Sequence, residues 1–392
     1  MKKIGLFFTL VLFIIGCGST SSSGESKDDS LLTSNIANPI TVVKDMKKDI
    51  KITSIKNGTT LKVVNKKNSD NFDVTDKYNG ILTYWADYNI GTTQEVVVEA
   101  SDANGWKSKP LTLVFKTVSK DNISKIDIIK TGANDAGIGV SREFKSDIDN
   151  NTVIDPFGNI WENILEGKSA ESNFYIMAKN RCEILRLTNK GTNWRVPTSD
   201  ELLNLIDYSK TSGSSMLSDE FNSTDITLWA ESEVGKYLVV STTNGLVYEV
   251  KSTDRYPVRC INAPKRDTIH VVSSEVGLNA ITHDFSTGLK WSPMSKGLYN
   301  IDQNASTYCA QYDGGSGWRL PSINEIRSIE ENGTISSNIM GNSTRIVSST
   351  PYNNIDTNAK TANYIVVYDD NSVKLGVDYT DTLYRITCVK ER

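Results

Sequence analysis

Apolar positions along the chain fall into three patterns. From Ile4 to Ile15 they are nearly continuous. Residues 18–35, GSTSSSGESKDDSLLTSN, hold very few, and such serine-, glycine- and charge-rich sequence buries too little to fold and reads as a flexible tether. From 36 to 120 the apolar residues come in short β-prone runs: Ile40-Thr41-Val42-Val43, Ile50-Lys51-Ile52, Leu61-Lys62-Val63-Val64 and Ile81-Leu82-Thr83-Tyr84-Trp85. Turn signals at Asn57-Gly58 and Asn79-Gly80 separate them. The clearest hairpin joins Glu95–Ala100 to Leu111–Phe115 across Ser101-Asp102-Ala103-Asn104-Gly105. Strands at this spacing predict a small β-sandwich.

Beyond residue 120 the chain repeats itself. Trp194-Arg195-Val196-Pro197-Thr198-Ser199-Asp200-Glu201-Leu202 returns 124 positions later as Trp318-Arg319-Leu320-Pro321-Ser322-Ile323-Asn324-Glu325-Ile326. Cys182 and Cys309 are 127 apart, and Cys260 and Cys388 are 128 apart. Trp161 follows Asp155-Pro156-Phe157-Gly158-Asn159-Ile160 as Trp291 follows Asp284-Phe285-Ser286-Thr287-Gly288-Leu289-Lys290. Landmarks in one order at a nearly constant offset mark an internal duplication. In each motif Thr198 or Ser322, with Glu201 or Glu325 three residues on, forms a capping box. Pro197 and Pro321 keep the preceding residue extended. Helices are predicted along Leu202, Leu203, Leu205 and Ile206, and along Ile326 and Ile329. Trp194 and Trp318 read as core. Arg195 and Arg319 are expected to pair with a buried carboxylate or backbone carbonyl rather than with a ligand.

The length of 392 residues allows two to four domains at ~100–200 residues each. A net charge of -4 argues against nucleic acid as the main partner. Besides Cys17 there are four cysteines, with Cys182 and Cys260 78 positions apart and Cys309 and Cys388 79 apart. Spacing alone leaves three pairings open. The duplication selects Cys182–Cys260 and Cys309–Cys388, each closing a loop worth about 4–5 kcal/mol on the chain-entropy model. The spacing is not that of a zinc site, and His270 and His283 are the only histidines, so no metal site is assigned. Asp102 and Asn104 carry oxygens of the kind calcium takes, although such residues more often only shape a turn. His283-Asp284-Phe285-Ser286 holds the residue types of a hydrolase triad. Neighbours in sequence do not make a triad, the first copy has no counterpart, and the segment reads as a solvated loop. No enzymatic activity is expected.

Three resemblances extend this reading. Lys2, Lys3, the apolar run and Gly16-Cys17 resemble a bacterial lipoprotein signal over residues 1–17, which implies a mature chain starting at Cys17 with lipid on its thiol and amine. The apolar run is too short for a spanning helix, which needs ~20 residues, and a single acyl chain anchors only marginally, so several chains matter. Gly18, in place of the aspartate that retains such proteins at the inner membrane, favours the outer membrane. Ala100–Gly105 resembles the closing hairpin of bacterial Ig-like and cadherin-like modules. Each repeat, 121–264 and 265–392, resembles the domain family first named from the C-terminal part of the Legionella collagen-like protein. The second copy carries Thr287-Gly288-Leu289-Lys290-Trp291, Tyr308-Cys309 and Gly315-Ser316-Gly317-Trp318-Arg319-Leu320-Pro321-Ser322; the first carries Lys130-Thr131-Gly132, Trp161, the Trp194 motif and Val258-Arg259-Cys260.

That last resemblance implies a fold like C-type lectins and the formylglycine-generating enzyme, with the cysteine pair tying an early helix to the last strand. It also implies surface-exposed, adhesin-like roles. Formylglycine-generating chemistry needs a reactive cysteine pair, whereas both cysteines of each copy are committed to a bridge. The Glu-Pro-Asn and Gln-Pro-Asp motifs of calcium-dependent animal lectins are absent. The copies also differ: Ile386-Thr387-Cys388 lacks the arginine before the last cysteine, and Trp229-Ala230-Glu231-Ser232 becomes Val347-Ser348-Ser349-Thr350.

The chain thus reads as multidomain: an N-terminal all-β Ig-like sandwich (36–120) followed by two α+β C-type-lectin-like domains. The expected function is a lipid-anchored cell-envelope binding protein, adhesin-like, recognising a glycan or surface ligand. The alternative is a structural or assembly component acting through protein–protein contacts. Candidate ligand surfaces are the Ser-, Thr- and Asn-rich loops Thr211–Glu233 and Gly333–Asn363, with Trp229 as a candidate aromatic platform. Replacing Cys17→Ser is expected to release the protein from membranes. Retention of the variant in the membrane fraction through high-salt and carbonate washes rules out the anchor.

Overall fold

A computed structural model describes residues 31–391 apart from 35–37, 55, 66–71, 87–89, 124–126, 131–138, 164–172, 189–192, 222–226, 232–235, 264–270, 276–280, 315–316, 331–338, 340–344, 354–361, 370–371 and 380–381. Cys17, residues 18–30 of the expected tether, and Thr131-Gly132 lie outside the described residues, as do Gly315-Ser316 and most of the Gly333–Asn363 loop. The end of the expected tether is part of the fold instead: Leu32–Ser34 pair as a strand with Ile52–Ser54, because Leu32 is buried in the core of the N-terminal sandwich.

The N-terminal region contains β1 (Leu32–Ser34), β2 (Ile40–Val43), β3 (Lys47–Ser54), β4 (Thr60–Asn65), β5 (Phe72–Asp76), β6 (Ile81–Trp85), β7 (Thr93–Ser101) and β8 (Leu111–Val118). One sheet runs β2-β8-β7-β4, with β2 parallel to β8; the other places β6 between β3 and β5, with β1 on β3. Along β7, Gln94, Val96, Val98 and Ala100 point inward and are buried, as the period of two requires. The rings of Phe72, Tyr84 and Phe115 stack between the sheets at centroid distances of 4.4–5.3 Å. Gly80 has φ +70°, and a Cβ there would lie 2.2 Å from the Ile52 carbonyl oxygen. Only glycine fits that turn.

The first repeat contains β9 (Lys145–Asp147), β10 (Thr152–Ile154), β11 (Ile160–Glu162), α1 (Tyr175–Thr188), β12 (Trp194–Arg195), α2 (Ser199–Leu203), β13 (Thr227–Trp229), β14 (Tyr237–Ser241), β15 (Val247–Val250) and β16 (Ile261–Asn262). The second contains β17 (Val272–Ser274), β18 (Thr282–Asp284), β19 (Leu289–Trp291), β20 (Tyr299–Asn300), α3 (Ser306–Gln311), α4 (Ile323–Glu330), β21 (Arg345–Tyr352), β22 (Ala362–Asp369), β23 (Ser372–Tyr379), β24 (Leu383–Tyr384) and β25 (Val389–Glu391). The β10–β11 hairpin with β16 corresponds to the β18–β19 hairpin with β25, and the β13-β14-β15 sheet corresponds to β21-β22-β23. Strand predominates throughout.

α2 is shorter than the sequence predicts. It ends at Leu203 with Asn204 as its C-cap, and Ile206 leaves to bridge Leu217. The reason is a core common to both repeats. Leu205, Ile206 and Tyr208 from the first join Ile323, Ile326, Ile329 and Tyr364 from the second in one buried cluster. Tyr208 and Tyr364 meet edge to face at 4.7 Å, and the Tyr364 hydroxyl donates to the Asn244 carbonyl at 2.7 Å. Arg327 reaches across to the Asp200 carbonyl at 3.0 Å and to its carboxylate at 3.3 Å. The Thr211–Glu233 loop serves this joint and is not a free binding loop over its described start. Ser212, Met216, Leu217 and Phe221 are buried, and the Ser212 amide donates to the Asn353 carbonyl.

The N-terminal sandwich docks on the second repeat. β3 extends the β17-β18-β19-β25 sheet through Lys47 opposite Ser274, and Val43 packs with Val271 and Phe285. Lys48 is buried there and donates to the Val272 carbonyl at 2.8 Å. Burial lowers its pKa to about 7, against the opposing pull of the Asp284 and Asp49 carboxylates. Between that value and the ordinary lysine range the unfolded chain binds the proton that the docked lysine has lost, so stability rises with pH. Thermal unfolding from about pH 7 to about pH 9.5 is expected to show a gain of up to about 1.4 kcal/mol per pH unit, flattened in Lys48→Met. Above about pH 10 the sign reverses, because burial raises the Tyr208 phenol to about 12. A wild type no more pH-dependent than Lys48→Met refutes this.

Candidate functional site

The repeated motif is a closed electrostatic knot. Thr198 Oγ1 accepts the Glu201 amide at 3.2 Å, and Glu201 Oε2 accepts the Thr198 amide at 2.8 Å. The same carboxylate receives both terminal nitrogens of Arg195, at 2.7 and 2.6 Å, while Arg195 Nη1 also donates to the Val196 carbonyl. The second copy repeats every bond: Ser322 with Glu325 at 3.3 and 2.8 Å, and Arg319 to Glu325 at 2.8 and 2.6 Å. One glutamate therefore caps a helix and anchors an arginine in the strand before it. Burial opposes the charge of Arg195, but Glu201 and Glu231 outweigh it and hold its pKa above the ordinary value.

The other landmarks are structural as well. Asp155 accepts the amides of Phe157 and Asn159 and the indole of Trp161 at 2.9 Å, fixing the β10–β11 turn. Asp284 performs the same task for Ser286 and Thr287. Asp284 and Ser286 are buried, so the stretch from His283 to Ser286 is a packed turn and not a solvated loop. The turn is packed because Ser286 Oγ accepts the Val271 amide, while His283 pairs with Glu275 at 2.7 Å. Disulfides join Cys182 to Cys260 and Cys309 to Cys388, with Cα separations of 5.5 and 5.4 Å. They tie α1 and α3 to the residues entering β16 and β25. Arg259 is fully buried and donates to the Glu162 carbonyl at 2.7 Å. At the matching place Thr387 donates to the Ser292 carbonyl at 2.8 Å, so the exchange keeps the bond with a shorter side chain.

Trp229 is not a surface platform. It is fully buried between Tyr175 and Tyr256, and its indole donates to the Asn173 carbonyl at 2.7 Å. Its large ring fills the joint between α1 and β13. Asp102 has both oxygens engaged, Oδ1 by the amides of Asn104 and Trp106 and Oδ2 by Lys56 at 2.8 Å. It shapes its turn. Among the described residues no cluster of three metal-ligating side chains occurs.

What remains is a cleft of about 350 Å³ where α1 meets the motif strand of the first repeat. Tyr175, Lys179, Glu183 and Arg186 line it from one face of α1, at successive spacings of four, four and three. Trp194, Arg195, Val196 and Glu231 close the other side. The Glu231 amide donates to the Pro197 carbonyl at 2.6 Å, which fixes the carboxylate-bearing residue against the motif. Sequence reasoning overlooked the α1 residues, although their i, i+4 spacing was there to be found. In the second repeat the matching positions are Ser306, Ala310, Asp313 and Ser349, and the Ser349 amide makes the corresponding bond to Pro321.

Comparison with protein-family models and with curated proteins returns no match. Solved structures align weakly. The D00-D0 domain of intimin shares 9% identity at a TM-score of 0.20, over 64% of this chain and 96% of that one. The SrpA adhesin of Streptococcus sanguinis gives 10% and 0.20 over 56% and 94%, and Drosophila N-cadherin EC1-3 gives 10% and 0.20 over 67% and 65%. Likeness at this level assigns neither fold nor function. The two disulfides fit an oxidising, extracytoplasmic setting. No helix among the described residues is long and apolar enough to cross a membrane.

The knots differ in depth. The Glu325 side chain is 0% exposed and that of Glu201 is 22% exposed. Arg319→Met strands a buried carboxylate and is expected to cost roughly 3–5 kcal/mol. Arg195→Met leaves a carboxylate that water still reaches and costs less. Urea unfolding of the two variants checks the order, and equal losses refute it.

Proposed function

We propose that this chain is a lipid-anchored, adhesin-like binding protein of the cell envelope that recognises a glycan through its first repeat. The observation that carries the reading is the cleft between α1 and the Trp194 motif. A half-buried tyrosine ring offers a stacking surface, and an amine, guanidinium groups and carboxylates offer directed bonds to hydroxyls. A concave site with an apolar wall and a few convergent polar groups is the usual form of a small-ligand site. The second repeat keeps the fold with Ser306, Ala310 and Ser349 where the first has Lys179, Glu183 and Glu231, so the fold itself does not require those three charges.

On this reading each repeat is a C-type-lectin-like domain, supported by the early helix bridged to the last strand. Attachment through Cys17, with the outer membrane favoured, follows from the signal resemblance. No catalytic role is assigned. A second reading, assembly through protein contacts, draws on α1, where Ile176, Met177 and Ile184 are exposed beside the cleft.

The test is a glycan array probed with the chain lacking residues 1–17, with and without calcium. Saturable binding is expected, weakened about tenfold or more by Lys179→Ala and by Glu231→Gln. A clean negative in both conditions overturns the glycan reading and favours assembly.

A further inference from the structure

The second repeat carries aromatic side chains where the first has other residue types. Tyr299 and Tyr308 lie 4.7 Å apart at 35°, Tyr308 and Tyr312 lie 6.2 Å apart, and Tyr312 meets Trp318 edge-on at 4.9 Å. The three tyrosines are half-exposed, while Trp318 beneath them is buried. Lys390 closes the end of the row with its amine 5.2 Å from the Trp318 ring centroid. Among the described residues none of the three phenol oxygens has a hydrogen-bond partner. Burial first, and the neighbouring Tyr308 second, push the Tyr312 phenol up to about 12.

The first repeat shows what the fold needs at these places. Arg181 stands where Tyr308 does and binds Glu162, and Leu185 stands where Tyr312 does and packs with Trp194. Tyr308 and Tyr312 thus replace an ion-paired arginine and a leucine; with Tyr299 they pack against the core on one side and add ring surface and hydroxyls on the other.

We propose that the Tyr299–Tyr308–Tyr312 row is a second ligand site, which stacks the flat C–H faces of a neutral polysaccharide. Aromatic faces carry negative charge density and favour the weakly positive C–H edges of sugar rings. Tyrosine gives such contact at small conformational cost, with a hydroxyl at its rim for the sugar's own hydroxyls. An aliphatic protein patch needs no hydroxyl on every ring, and an acidic glycan calls for more cationic groups than Lys390 supplies. This site differs in chemistry from the charged cleft of the first repeat and stands or falls separately from it.

The test is calorimetric titration of the full chain in detergent with cellohexaose, laminarihexaose, xylohexaose and chitohexaose at millimolar concentration, with tryptophan fluorescence read in parallel. At least one is expected to bind saturably and to perturb Trp318. Tyr308→Ala and Tyr312→Ala are expected to weaken it about tenfold or more, and Tyr312→Phe to keep most of the affinity. Tyr299→Ala, at the far end of the row from Trp318, reports the same loss if an inner variant fails to fold. Absence of binding by all four hexasaccharides overturns the proposal. So does binding that survives the alanine variants and is lost in Glu231→Gln, since that ligand belongs to the cleft.

Discussion

Each repeat depends on a single carboxylate. Glu201 and Glu325 satisfy a helix N-terminus and hold an arginine bidentately. The bond joins a strand to the helix after it across a proline. On one side of that joint the helices α2 and α4 carry their apolar residues into the core between the repeats. On the other side the motif tryptophan faces α1 or α3, where the cleft and the tyrosine row lie. The core between the repeats and the face that bears the cleft are set by the same few bonds, and charge-assisted bidentate pairs have the geometry to fix both.

Joining the repeats changes what the duplication means. Two linked but independent domains would gain avidity from a flexible connection. Here Arg327, Asp200, Tyr208 and Tyr364 fasten the copies side by side, and Lys48 with Val43 fastens the N-terminal sandwich to the second copy. Two sites on the repeats would therefore be held at a fixed separation, and the spacing of groups on a partner would become a selection criterion.

Much of this was legible in the sequence. The β2, β4, β6, β7 and β8 strands showed themselves because half-buried strands alternate and their turns need Asn-Gly or glycine. The repeat was legible through constant offsets. The arginine–glutamate pair was half legible: the capping role of Glu201 was plain, and that role concealed the second. Other features carry no local signal. Leu205, Ile206 and Tyr208 have the composition of any helix face, and only the partner repeat explains why the chain turns there. Loop composition did not reveal that Ser212, Met216, Leu217 and Phe221 are buried in the joint between the repeats. An indole such as Trp229 has the same letters whether it fills a core or a surface. The docking of β3 on β17 joins strands more than two hundred residues apart, which no window of sequence can report.

The shared core also has a history. After duplication, each copy was free to drift only while its apolar face could tolerate water. Once Leu205, Ile206, Ile326 and Ile329 came to cover one another, neither copy could be deleted or shuffled into another protein without baring a greasy surface. The two copies therefore make one unit rather than two interchangeable modules, and their sequences differ most freely along the seams beside α1 and α3, away from that shared surface.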